Sequence, residues 1–374
     1  MAYRRSACAG VVKLVNTTDL KSVGRKALPV QVRSPAPFIS ILAYATGVLF
    51  RMDFIKRADA DAKRLVDQFP DYYANLDALY LGLIGFDFEE DAYEIISSGG
   101  EVIAFIRKVE NNPGEISLAR SLSPNTLFGA VGRYTRSITY ELAVPLVDPD
   151  DIQVTVDAAY QLSSCLRIAG AAEGIIPAAT RKSWSILGGI HDNSCEVHLF
   201  EDFPKARGFR KPSPINNEDI QWVGESLDKF SSLYEKNEAY KLAVQSYCSY
   251  GQANNIRLMA ATIWSGIEAL FNISAELRYR LSLYIGALTE TLGEKRYEKF
   301  QKVKKLYDFR SKIVHGSTLD EASIANHIRE VSLILAHLLT IFAQKGEVIE
   351  VEEIEKFLLF PEKLNLKITI PKKQ

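Results

Sequence analysis

The chain has 374 residues, 47% of them hydrophobic and 24% charged, with a formal net charge of −1. That composition excludes a disordered tail, a collagen-like fibre and a small disulfide scaffold, and the length predicts roughly two domains. The charge is uneven: residues 1–51 carry eight basic residues against the single acid Asp19, a net +7, which leaves −8 for the rest of the chain.

Val11–Pro37 shows neither helical nor strand periodicity. The peptide GVVKLVNTTDLKSVGRKALPVQVRSPAP resembles the conceptual translation of a bacterial transfer-RNA gene. Val32-Arg33-Ser34 back-translates to GTTCGATCC, a T-loop signature. Thr18–Val23 back-translates to a paired stem around a loop with TAA at the anticodon position, and Pro35-Ala36-Pro37 to an acceptor-like end. The apolar run Phe38–Phe50 is too short to span a membrane, and no small-residue cleavage site follows it. The expectation is a spurious or disordered extension over 1–51. The natural start is then Met52, with Asp53 as a helix N-cap.

From Met52 to about Gly99 the pattern reads as helical, with Ile55, Ala58, Ala62, Leu65, Val66 and Phe69 at helical spacing and Asp91–Ser97 as a short helix. Ser98-Gly99-Gly100 breaks it. Val102–Ile106 and Arg133–Val147 read as strands, Asp151–Ile168 as a helix, and Trp184–Leu187 and Cys195–Phe200 as strands around a turn at Gly188–Ser194. Residues 52–212 are therefore expected to form an α+β domain. The Pro-rich stretch Phe203–Asn217 reads as a linker or exposed loop. Residues 213–374 read as an all-α bundle, with helices at Asp219–Lys236, Glu238–Tyr250, Asn255–Phe271, Glu276–Thr289, Glu294–Val314, Glu321–Gln344 and Val351–Leu359.

The helix from Glu294 carries an apolar stripe through Val303, Leu306 and Ile313, and Arg310 lies on it, two turns from Val303. A guanidinium facing a core is costly unless it is paired or lines a site. One structural reading pairs it with Glu268 and leaves His315 as a helix cap, with Gly316 at C′. From Glu294 to Lys312 the net charge is +5, and Lys302, Lys304, Lys305 and Lys312 beside the motif suit a phosphate backbone, or else form a solvated helix face.

The segment YDFRSKIVHGS resembles the Arg-x4–6-His signature of the HEPN superfamily, in particular Apea-like HEPN domains, and WSGIEALF (Trp264–Phe271) is similar to the helix that packs on that motif. The resemblance covers residues 215–345. It departs at Ser311, where such domains often carry Asn, Asp or His. It implies a HEPN-like helical bundle acting as a metal-independent endoribonuclease, with no cofactor, that leaves a 2′,3′-cyclic phosphate. His315 would be the general acid or base and Arg310 the phosphate clamp, supported by Ser311, Glu268 and Tyr307. It also implies a homodimer, an RNA substrate with transfer RNA among the candidates, and a role in bacterial defence or growth arrest, with residues 52–212 sensing or regulating. The alternative is an inactive bundle serving RNA binding or dimerisation.

Other signals are weaker. His191, Cys195 and His198 have metal-like spacing, but on a strand Cys195 and His198 would face opposite ways. His327 and His337 read as core or surface histidines rather than ligands. No GxGxxG or GK[ST] is present, so Gly188-Gly189 reads as a turn. Asn272-Ile273-Ser274 matches a glycosylation sequon. The four cysteines, Cys8, Cys165, Cys195 and Cys248, are scattered without a CxxC, which fits a reducing compartment. After residue 51 no stretch reads as a membrane span, so a cytoplasmic location is expected.

Overall fold

A computed structural model of the chain describes residues 76–110, 112, 114–123, 132, 135–147, 151–187, 189, 193–201 and 214–360. The chain divides into units 1–52 and 53–374, and every described residue belongs to the second. The expectations for residues 1–75, including the start at Met52, and for most of the linker fall outside the described residues.

The fold is mixed. Its N-terminal part holds a six-stranded antiparallel sheet in the order β2-β3-β4-β1-β5-β6. The strands are β1 Ala78–Leu83, β2 Ala92–Ile96, β3 Val102–Lys108, β4 Tyr140–Pro145, β5 Ala178–Thr180 and β6 Val197–Leu199. Among the described residues the helices are α1 Glu115–Ser121, α2 Ile152–Ala169, α3 Trp184–Leu187, α4 Asn217–Lys236, α5 Glu238–Ser249, α6 Ile256–Phe271, α7 Leu277–Thr289, α8 Glu294–Val314, α9 Glu321–Lys345 and α10 Val351–Leu359.

The central strand β1 is buried along its whole length. Leu79, Leu81 and Leu83 face the helices, while Ala78 and Tyr80 face a smaller core with Ile138, Trp184 and Leu187. Burial on both faces removes the polar alternation that marks a strand, which is why this stretch read as helix. The short helix expected at Asp91–Ser97 is also a strand, β2, with Tyr93 and Ile95 buried and Glu94 exposed. Five residues are too few for sequence periodicity to separate the two states. The strand expected at Trp184–Leu187 is instead the short helix α3. The buried Glu141 carboxylate accepts hydrogen bonds from Ser183 Oγ and from the Trp184 N–H, both at 2.6 Å, and so anchors the start of this turn. The strand expected from Cys195 is confined to Val197–Leu199, and β5 and α1 were not foreseen.

The helices of residues 214–360 follow the sequence reading closely, and four of the seven, α4, α5, α6 and α9, start at a side-chain cap. Asn216 and Asp219 form a capping box on α4, and Asn237, Asn255 and Asp320 cap α5, α6 and α9. The sheet and these helices share one core, in which Leu81, Ile95, Leu142 and Leu166 belong to the same cluster as Val223, Phe230, Tyr240 and Leu339. The helix α9 corrects the expectation of no apolar span. It is long and apolar enough to cross a membrane, yet 67% of its most apolar window is buried in the protein, since it runs through the bundle and is in contact on several sides.

One close approach ties α4 to the sheet. A Cβ on Gly224 would lie 1.9 Å from the Ile96 carbonyl oxygen, a backbone atom that has nowhere to go. Gly224→Ala is expected to destabilise the protein by at least about 2 kcal/mol through overpacking. Urea unfolding checks this, and an unchanged midpoint would refute so tight a contact.

Candidate active site

Arg310 and His315 sit on the last turns of α8, packed against α6. The helix ends in a Schellman arrangement. The Gly316 N–H donates to the Ile313 carbonyl at 3.3 Å and the Ser317 N–H to the Lys312 carbonyl at 3.0 Å, with Gly316 at φ +76°. A residue with a Cβ would be strained there, so glycine fixes where the helix stops. His315 is the C-cap residue, and its side chain is exposed to solvent.

A second group holds this end. Arg257, in the first turn of α6, donates from Nη1 to the Ile313 carbonyl at 2.9 Å and from Nη2 to the Ser317 carbonyl at 2.7 Å, so it grips the backbone on both sides of His315. The sequence reading missed Arg257. The usable signal was a base two residues after the cap Asn255, where it is unfavourable for its own helix dipole and needs another partner.

Arg310 is partly buried, its side chain 24% exposed. Its Nη2 lies 3.1 Å from Glu268 Oε1, so the pairing with Glu268 is present. Its guanidinium carbon stands 5.5 Å from the Tyr307 ring centroid. The Tyr307 ring in turn meets Trp264 edge to face at 5.2 Å. Burial first, then the Glu268 carboxylate, raises the Tyr307 pKa. Arg310 Nε is buried and has no hydrogen-bond partner. The guanidinium therefore retains an unused donor beside its carboxylate.

The four lysines do not form one stripe. At about 100° per residue, Lys302, Lys305 and Lys312 lie within about 80° of one another around α8, while Lys304 projects from a different side. Lys302 stands 3.4 Å from Glu330, and Lys304 lies over the Phe300 ring at 5.7 Å. Lys305 and Lys312 are exposed and Ser311 is half-buried.

His327 is a core residue. It accepts a hydrogen bond at Nε2 from Trp264 Nε1 at 2.9 Å and lies beside Phe309 at 5.2 Å. Burial lowers its pKa from 6.5 to about 4. His337 is lowered to about 4 as well, by burial and then by Lys299. Between pH 6.5 and 4 the unfolded chain binds protons that the folded chain refuses. Stability is therefore full above pH 6.5 and falls as the pH drops towards 4, by about 3 kcal/mol for His327. The urea midpoint is expected to decline over that window, and less steeply in His327→Gln; equal slopes would exclude His327 as the source.

Among the described residues no three His, Cys, Asp or Glu side chains gather where they could hold a metal. Cys195 is buried in a bridge to Leu122, His198 is half-buried on β6, and His191 lies outside the described residues. No protein family, no curated protein and no solved structure matches this chain.

Proposed function

We propose that the helical part is a HEPN-like metal-independent endoribonuclease with Arg310 and His315 as its catalytic pair. The observation that carries this reading is the arrangement at the end of α8. An exposed imidazole is carried on a backbone fixed by the Schellman turn and by Arg257, with a guanidinium just over one turn earlier that has a spare buried donor.

The chemistry follows from those groups. An exposed imidazole can take the proton of a ribose 2′-hydroxyl or deliver one to the leaving 5′-oxygen. The 2′-oxygen attacks the adjacent phosphorus, the P–O5′ bond breaks, and a 2′,3′-cyclic phosphate remains. Arg310 would leave Glu268 for the phosphate and stabilise the added negative charge of the transition state. Tyr307 and Glu268 position it. The reading brings with it a homodimer that sets two such pairs in one cleft, an RNA substrate with transfer RNA among the candidates, and a cytoplasmic role in defence or growth arrest. The sheet would then serve sensing or regulation.

The Arg310–Glu268 pair favours a second reading. A guanidinium already neutralised by a carboxylate suits an inactive bundle used for RNA binding or dimerisation. The two are separated by incubating the full chain with total RNA in excess EDTA and mapping the ends. New 2′,3′-cyclic phosphate ends support the nuclease, and intact RNA under every condition supports the binding module.

A further inference from the structure

A cavity of about 270 Å³ opens where the C-terminal end of α2 meets α8 and α9, away from the end of α8 that bears His315. Lys299, Lys302, His337 and Thr340 line it together with one carboxylate, Glu330, which an anion would displace from Lys302, and its apolar floor includes Ile168 and Ile334. Two lysines at i and i+3 on one helix present their ammonium groups side by side.

Both ammonium groups are poorly matched. Lys299 Nζ stands 3.9 Å from Glu290, and Lys302 Nζ 3.4 Å from Glu330. A charge-assisted hydrogen bond spans about 2.7–2.9 Å, so both ion pairs are long. The Lys299 side chain is only 21% exposed, and a half-buried ammonium in that state is costly. His337 Nε2 is buried with no hydrogen-bond partner. Burial lowers the Lys299 pKa, and Lys302 adds to that effect. The three residues line one space, where Lys299 and His337 are under-satisfied and Lys302, exposed and loosely paired, is free to turn to an anion.

We infer that this cavity binds a small phosphate-bearing anion, with Lys299 and Lys302 on the phosphate oxygens, His337 Nε2–H donating a third hydrogen bond, and the apolar floor taking a short carbon skeleton. A tetrahedral dianion presents acceptors in several directions, which suits three donors from two helices better than a planar carboxylate does. The cavity is at the small end for ligand sites, so the carbon part is limited to a few atoms. This site lies on the N-terminal half of α8, while Arg310 and His315 lie at its C-terminal end, so the proposal does not rest on the nuclease reading, although Lys302 is a candidate RNA contact in that reading.

The test is a thermal-unfolding titration of the full chain with inorganic phosphate, using sodium chloride at matched ionic strength as the control. Wild-type protein is expected to gain about 3 °C in Tm at 100 times the dissociation constant, along a saturating curve. The gain is lost in Lys299→Met and reduced at least tenfold in apparent affinity in Lys302→Gln. Lys299→Met keeps the buried stem and removes the unmet charge, so it folds at least as well as wild type. A rise that never saturates, or one that Lys299→Met retains, would overturn the proposal. So would a Lys299-dependent rise with a short single-stranded RNA where inorganic phosphate gives none.

Discussion

His315→Ala is expected to lower RNA cleavage by about 10²–10⁴-fold, the usual contribution of a positioned general acid–base group. Arg310→Ala is expected to fall as far, because it removes the charge that meets the transition state. Arg310→Lys should recover only a minor part, since an ammonium lacks the planar fork that contacts two phosphate oxygens. Glu268 provides the sharper control. In the resting protein it holds Arg310 at 3.1 Å, so a scissile phosphate must compete with it. Glu268→Gln keeps the shape and removes the competing charge. It should weaken the hold on Arg310 and tighten RNA binding several-fold, while His315→Ala leaves binding nearly unchanged. Cleavage that survives both His315→Ala and Arg310→Ala would remove these residues from the chemistry. His315 is exposed, so its loss is not expected to disturb folding, and unchanged urea unfolding of the variant verifies that.

Arg167→Ala and Glu201→Ala are each expected to cost about 3–5 kcal/mol of stability, measured by urea unfolding. The Arg167 guanidinium is 2% exposed and makes a two-pronged contact with Glu201, at 2.8 and 2.6 Å. Glu201 Oε2 also accepts the Ile176 N–H at 2.9 Å. Burial works against the Arg167 charge, and the Glu201 carboxylate more than offsets it, so the pKa of Arg167 is raised. Removing one partner strands the other charge in a dry interior. Replacing both, as Arg167→Met with Glu201→Leu, removes that penalty and should cost much less than the two single changes summed. Additive losses would show that the pair is not coupled. The contact joins α2 to the chain just after β6, so its loss should loosen the sheet before the bundle. Loss of protection first in amides of β5 and β6 by hydrogen exchange checks this.

The part of the fold legible in the sequence was the part that local physics controls. The described helices after residue 216 repeat their apolar residues at helical spacing, four of the seven start at a side-chain cap, and their limits could be read within one or two residues. α2 was legible for the same reason, with Asp151 as its cap, and β3 as a short apolar run that follows the Ser98-Gly99-Gly100 break. β1 was not, because a strand buried on both faces has the composition of a buried helix, and only its partners β4 and β5 distinguish the two. Trp184–Leu187 became a helical turn because Glu141, 43 residues away, holds its first N–H. The same division holds for the candidate site. Arg310 on a core stripe, His315 before Gly316 and the pairing with Glu268 all follow from spacing along two helices. The grip of Arg257 on the end of α8, the buried neutral His327 against Trp264 and the cavity of Lys299 and His337 do not. Sequence by itself determined the helices after residue 216 and where one charged residue is out of place, because caps, glycine and periodicity act over a few residues. Tertiary structure alone decided the sheet order, the shared core and the partners of every buried charge, because those depend on groups far apart in the chain meeting where water is excluded.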